Sequence, residues 1–161
     1  MKLISYNLEQ QLFYELDQSK ESIMIISPYL SLNTAEKLTN LLKNKNIKCT
    51  VITRFDRSLF INGGSSIEAL ELLYKTGVEI LALQNLHTKL YVIDNKICLT
   101  GSANFTNKGL TTNKELLILF NEETEILPFL NYANKLYSDI INSSNYYVDE
   151  KLINKEIELK K

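Results

Sequence analysis

The stretch from His87 to Asn104 reads HTKLYVIDNKICLTGSAN and holds the only histidine of the chain. Lys89 follows His87 by two residues, Asp94 follows Lys89 by five, and Gly101, Ser102 and Asn104 close the run. Residues 88–93 and 97–100 are β-favouring, and the Asp94-Asn95-Lys96 step between them predicts a tight hairpin turn. Side chains two apart in a strand share a face, so His87 and Lys89 are expected in one pocket, a nucleophile beside a permanent positive charge. Asp94 falls on the opposite parity and is expected to brace the turn or pair with a cation. One histidine cannot run a two-step acid-base reaction alone, so the site is expected to need a second copy of itself.

The residues after the second strand suit anion binding. Gly101 permits close backbone approach, Ser102 offers a hydroxyl, and the Asn104 amide can donate to an anionic oxygen without adding charge. Together with Lys89 they would cradle a phosphoryl group and stabilise charge on its non-bridging oxygens. Glu115 opens the next predicted strand, 116–120, and is expected to accept a hydrogen bond from one ring nitrogen of His87, leaving the other to attack phosphorus. A lone histidine or a GSxN loop is ordinary by itself; their joint spacing carries the signal.

Outward from this run, short β-rich stretches alternate with helical ones. Strands are predicted at 23–26, 47–53 and 78–81, and helices from Asn33 and Ser65. The pairs Asn7 and Gln10, Asn33 and Glu36, and Ser65 and Glu68 are spaced as capping boxes. Residues 54–65 read as a glycine-containing loop, and Gly77 as a left-handed helix cap. The last long helix is predicted to begin at Asn121 or Thr124, with Pro128 favouring the later start. Helices between strands early and adjacent strands late indicate an α/β sandwich around a mixed sheet. Residues 1–141 are expected to form one catalytic domain, with 142–161 a tail able to form a short docking helix.

The chain has 161 residues and a formal net charge of -1, enough for one sizeable core and too little positive charge to hold nucleic acid by bulk electrostatics. A local patch of Lys96, Lys108, Lys114 and Arg54 is the candidate for contacts with backbone phosphates. The first residues show no secretory pattern, and no apolar run approaches the roughly 20 residues of a membrane helix, so a cytoplasmic location and no membrane partner are expected. Cys49 and Cys98 lack metal-ligand spacing and are expected to be reduced core thiols.

The pattern H87-x-K89-x4-D94-x6-G101-S102-x-N104 resembles the HKD signature of the phospholipase D superfamily at all six positions. The order of elements from about Ile23 to Leu136 is similar to one whole domain of that fold, an αβα sandwich. The resemblance implies that His87 attacks a phosphodiester and becomes a phosphohistidine, with Lys89 and Asn104 on phosphate oxygens and Ser102 supporting the pocket. It implies that Glu115 orients the histidine, that Asp94 and Gly101 are structural, and that neither metal nor other cofactor is needed. Since members with complete sites use two motifs, it implies a homodimer whose two His87 rings face each other, one as nucleophile and one as general acid. Small single-motif members most resemble nucleases, which makes DNA or RNA the expected substrate. The alternatives are a phospholipase or phosphatidyltransferase, for which the 59–61 segment is the one apolar entrance, and a non-catalytic nucleic-acid-binding or assembly module. A site-specific enzyme would need a separate specificity subunit or domain, because no DNA-reading motif is present.

Overall fold

The computed structural model describes residues 1–144 and 146–161; Asn145, in the C-terminal tail, lies outside the described residues. Seven strands, β1 (Lys2–Ile4), β2 (Ser22–Ile26), β3 (Lys48–Thr53), β4 (Glu79–Ala82), β5 (Leu90–Ile93), β6 (Ile97–Gly101) and β7 (Leu117–Phe120), form one sheet in the order β1-β7-β6-β5-β2-β3-β4. The pairs β2–β3 and β3–β4 are parallel and the other four antiparallel, so the sheet is mixed. The parallel half needs helical crossovers, which α2 (Leu32–Leu42) and α4 (Ile67–Lys75) supply; in the antiparallel half β5 and β6 are joined by a short turn and β6 and β7 by the longer segment 102–116.

Strand alternation sorts the core into two layers. Ile23, Ile25, Val51, Tyr91 and Leu99 pack under α1 (Leu8–Asp17), α2, α4 and α6 (Glu150–Lys160) on one face. Ile26, Ile52, Leu90, Val92 and Cys98 pack under α5 (Glu123–Ile141) on the other, against Ile126, Ala133 and Ile140. The result is the αβα sandwich around a mixed sheet that the sequence indicated. Cys49 and Cys98 are free and buried, and burial pushes their thiols up to about 12 and about 11.

The differences from the sequence expectation are local. Ser31 and Ser66, rather than Asn33 and Ser65, cap α2 and α4, each accepting from the N–H three residues on. Ser65 instead is buried, and its hydroxyl bonds Leu30 N at 3.1 Å. Asn7 occupies the cap position of α1 but with φ 50° and no side-chain cap bond. The 54–65 loop contains a short helix, α3 (Arg57–Asn62), capped by Asp56. One π-type turn, Lys108–Thr112, interrupts the loop after β6. Helix α5 starts at Glu123 and contains Pro128; the ring forfeits one backbone bond near the helix start, and the buried face of α5 outweighs that loss. Strand β1 has no signal beyond three residues and owes its form to pairing with β7.

The β5–β6 hairpin turns on Asp94 and Asn95, both left-handed at φ 53° and 52°, as a primed turn requires. The Asp94 carboxylate accepts from the backbone N–H groups of Lys20, Glu21 and Ser22 at 2.8–3.2 Å, tying the hairpin to the start of β2. Burial alone would raise its pKa, but these three donors and Lys96 outweigh it and hold the carboxyl below its ordinary value. A depressed carboxyl stabilises fully above its unfolded pKa and loses that contribution as pH falls through the folded one, so the loss falls below about pH 4. Asp94→Ala is expected to cost about 1–2 kcal/mol at neutral pH, discounted for partial exposure, and to flatten the acid limb of stability in urea titrations. An unchanged midpoint would show that the three amides are satisfied by water.

Candidate active site

Strand direction gathers the motif at one end of the sheet. Leu90 pairs with Ile26 and with Thr100, and Gly101 with Leu117. The segment before β5, the exits of β2, β3 and β6, and the entry to β7 therefore lie together. His87, Lys89, Ser102, Asn104, Glu115 and Arg54 all flank that edge. Asp94 lies beyond the opposite end of β5, too far to touch a substrate at His87.

His87 and Lys89 precede β5 rather than belonging to it, yet the expected pairing is realised. Lys89 Nζ lies 3.1 Å from Nδ1 and 3.3 Å from Nε2 of His87 and donates to the His87 carbonyl at 2.8 Å. The Thr100 hydroxyl donates to the Lys89 carbonyl at 2.7 Å, so β6 fixes the lysine backbone. Lys89 is only 9% exposed, whereas His87 is exposed. Burial lowers the ammonium pKa, and the charge of Glu115 partly restores it. A dehydrated cation thus lies under an accessible imidazole, an arrangement suited to an anion arriving from outside the chain.

The residues expected to cradle an anion are positioned by backbone closeness. A Cβ on Gly101 would lie 2.2 Å from the Leu116 carbonyl oxygen, so only glycine allows β6 and β7 to meet there. Ser102 is then pinned across the gap: its N–H donates to Leu116 O at 3.0 Å and its hydroxyl accepts from Leu116 N at 3.1 Å. Asn104 is held by its neighbours, since Tyr91 donates to Ala103 O at 2.9 Å and Phe105 N donates to Ser27 Oγ at 2.9 Å. The Asn104 side-chain oxygen is buried without a hydrogen-bond partner among the described residues. An amide left in that state is free to turn toward a ligand.

Glu115 departs from expectation. It accepts from Asn113 Nδ2 at 3.3 Å, and among the described residues it makes no hydrogen bond to His87. The lysine, not the glutamate, stands at the ring, and the Glu115 charge acts on Lys89 and on the buried Tyr91, whose hydroxyl is pushed up by burial first and by Glu115 second.

The basic residues do not form one patch. Lys96 sits in the hairpin turn at the far end of the sheet, 3.4 Å from Glu21, and does not join the site. Lys108 lines a groove that includes Asn104, and Lys114 lines another with Ser102 and Glu115. Arg54 is not a solvated loop arginine: it reaches the Tyr29 hydroxyl at 3.4 Å and Asp56 at 3.5 Å. Two positioning residues had no usable sequence signal. Tyr132 of α5 shares a 2.6 Å hydrogen bond with Thr88, between His87 and Lys89. Gly109 leaves room for the Asn104 carbonyl, which a Cβ would meet at 2.6 Å.

A family model described as "Cardiolipin synthase, PLD-like domain" matches residues 12–137. The mitochondrial cardiolipin hydrolase of Canis lupus familiaris is 26% identical over 113 residues, which cover 68% of this chain and 42% of that protein. The chain thus spans less than half the length of that curated relative. Among solved structures, the phospholipase D family member Nuc from Salmonella typhimurium superposes with a TM-score of 0.73 at 20% identity, covering 92% of this chain and 97% of that one. NucT from Helicobacter pylori gives 0.69 at 21% identity, covering 85% and 94%. The expected cytoplasmic location does not stand: the curated relatives are named as mitochondrial proteins. That expectation rested on the lack of a secretory pattern, which carries no address of its own. With the family match spanning most of its length and the six motif residues in place, the chain belongs to the phospholipase D superfamily, as a small single-motif member, nuclease-like in fold.

Proposed function

We propose that this domain is a phosphodiester hydrolase acting on nucleic acid, with His87 as nucleophile in an active site shared by two copies of the chain. The observation that carries the reading is the exposed His87 ring over the buried Lys89 ammonium, beside Ser102 and Asn104. A ring nitrogen of one His87 attacks phosphorus, the P–N bond forms, the P–O bond to the leaving group breaks, and the partner's His87 gives its proton to the departing oxygen. Water then attacks the phosphohistidine, loses its proton to the partner's His87, and the P–N bond breaks to release a phosphomonoester and restore both rings. Lys89 and Asn104 stabilise the non-bridging oxygens, Ser102 holds the cradle closed, and Glu115 favours the charged form of Lys89 against burial. Residues 1–141 carry this chemistry, and the 142–161 tail adds α6, which packs on α3 and α4. Choice of a particular sequence would fall to a separate subunit or domain.

A phospholipid phosphodiester is the second reading, favoured by the family description and by the cardiolipin hydrolase relatives. Of the 59–61 segment, Phe60 is buried, Leu59 half-buried and Ile61 66% exposed, so a small patch rather than a broad apolar face is offered to a lipid. No helix among the described residues is long and apolar enough to cross a membrane. A non-catalytic module would have no use for a complete motif. Labelled DNA, RNA and cardiolipin vesicles incubated with the EDTA-treated protein separate these readings. Nucleic-acid cleavage that persists in chelator is expected. Cleavage restored only by divalent metal, or turnover of cardiolipin alone, would refute the proposal.

A further inference from the structure

The geometry points to Tyr29 and Arg54 as a subsite for the nucleotide next to the scissile phosphate, with the Tyr29 ring stacking on its base and the Arg54 guanidinium taking the neighbouring phosphate. This rests on the nucleic-acid reading and specifies how a strand would lie in the site. Leu90 pairs antiparallel with Ile26, and four residues on Leu30 bridges Phe105, so Tyr29 leaves β2 between the start of β5 and the segment that carries Asn104. Ile26 also pairs in parallel with Ile52, and Arg54 N donates to Pro28 O at 3.4 Å, so Arg54 leaves β3 beside the same point. Both side chains therefore stand at the edge that carries the nucleophile.

Three features fit a nucleotide there. Tyr29 is half-buried and lines a groove of about 530 Å³ that runs from Asn104 to Gly63, Gly64 and Ser66 and carries Lys108. The groove therefore reaches the proposed phosphate cradle at Asn104 and has a cation, Lys108, on its wall. Its one carboxylate, Glu68, is tied to Lys160 at 2.6 Å and is held below its ordinary pKa, where the Lys160, Ser66 and backbone bonds outweigh burial. Arg54, whose guanidinium carbon lies 5.9 Å from the Tyr29 ring centroid, is loosely held. Its two side-chain contacts are long, at 3.4 and 3.5 Å, and its Nε is buried without a partner among the described residues. A guanidinium whose terminal nitrogens make only long contacts, beside a half-buried aromatic ring, can meet a phosphate and a base together. A glycerophospholipid headgroup offers no base for that ring.

The test compares single-stranded oligonucleotide with bis(p-nitrophenyl) phosphate, a phosphodiester without flanking nucleotides, as the ratio of the two kcat/KM values. In Tyr29→Leu the ratio is expected to fall about tenfold or more, the size of one lost base stack, while Tyr29→Phe keeps it. In Arg54→Gln the slope of log KM against log salt for the oligonucleotide is expected to shrink by about 0.7, one phosphate of a single strand. Circular dichroism melting confirms that each variant is folded. An unchanged ratio in Tyr29→Leu with an unchanged salt slope in Arg54→Gln overturns the subsite and leaves the nuclease reading intact. A wild-type protein that turns over the small diester but not the oligonucleotide overturns both.

Discussion

Replacing His87 by alanine is expected to lower phosphodiester cleavage by more than about 10⁴-fold, because in the proposed shared site one substitution removes the nucleophile from one chain and the proton donor from the other. Loss of a general acid alone costs up to about that factor, and here no second histidine can substitute. The fold is expected to survive, since the ring is exposed and its close polar contact, Lys89, keeps the His87 carbonyl at 2.8 Å. Thermal melting of His87→Ala beside single-turnover assays checks both halves. Residual cleavage within about tenfold of wild type would move the nucleophile elsewhere.

Gly101→Ala should be nearly as damaging by a different route. The added methyl would lie 2.2 Å from Leu116 O and 3.0 Å from the Leu117 Cα, both backbone atoms that cannot swing aside. Strands β6 and β7 must separate, at about 1–3 kcal/mol or more for an overpacked site. The same separation breaks the two Ser102–Leu116 hydrogen bonds and shifts Glu115 relative to Lys89. Misplacement by about 1 Å of groups that hold the reacting phosphate typically costs about 10²-fold in rate. A fall in both melting temperature and kcat is expected. A variant with native stability and full activity would mean that the cradle does not depend on this close approach.

The fold was legible where side-chain pattern repeats over many residues, and the site where residue types are chemically irreplaceable. The apolar run at Ile23 to Ile26, the hairpin at Asp94 and the motif spacing all survive in the structure because each states its own geometry. What could not be read depends on partners distant in sequence. Strand β1 exists through β7, the Glu115 carboxylate answers to Lys89 across the sheet edge, and the Tyr132 hydroxyl meets Thr88 from the other layer. The helix caps shifted by one or two residues because serines at Ser31 and Ser66 outcompeted nearby Asn33 and Ser65, a choice made by how α2 and α4 pack. Lys96 was grouped with the other cations by sequence proximity, and the hairpin carries it to the far end of the sheet. The contact of Arg54 with Tyr29 joins the ends of two different strands and leaves no mark in the local sequence.

The central claim is that each chain holds half an active site, completed by a second copy. Co-expressing wild type and His87→Ala in equal amounts, purifying the whole population of randomly paired dimers and measuring specific activity addresses it directly. A site shared by both histidines leaves activity only in wild-type pairs, about a quarter of the all-wild-type value. About half the wild-type value, the result for chains that act independently, would contradict it.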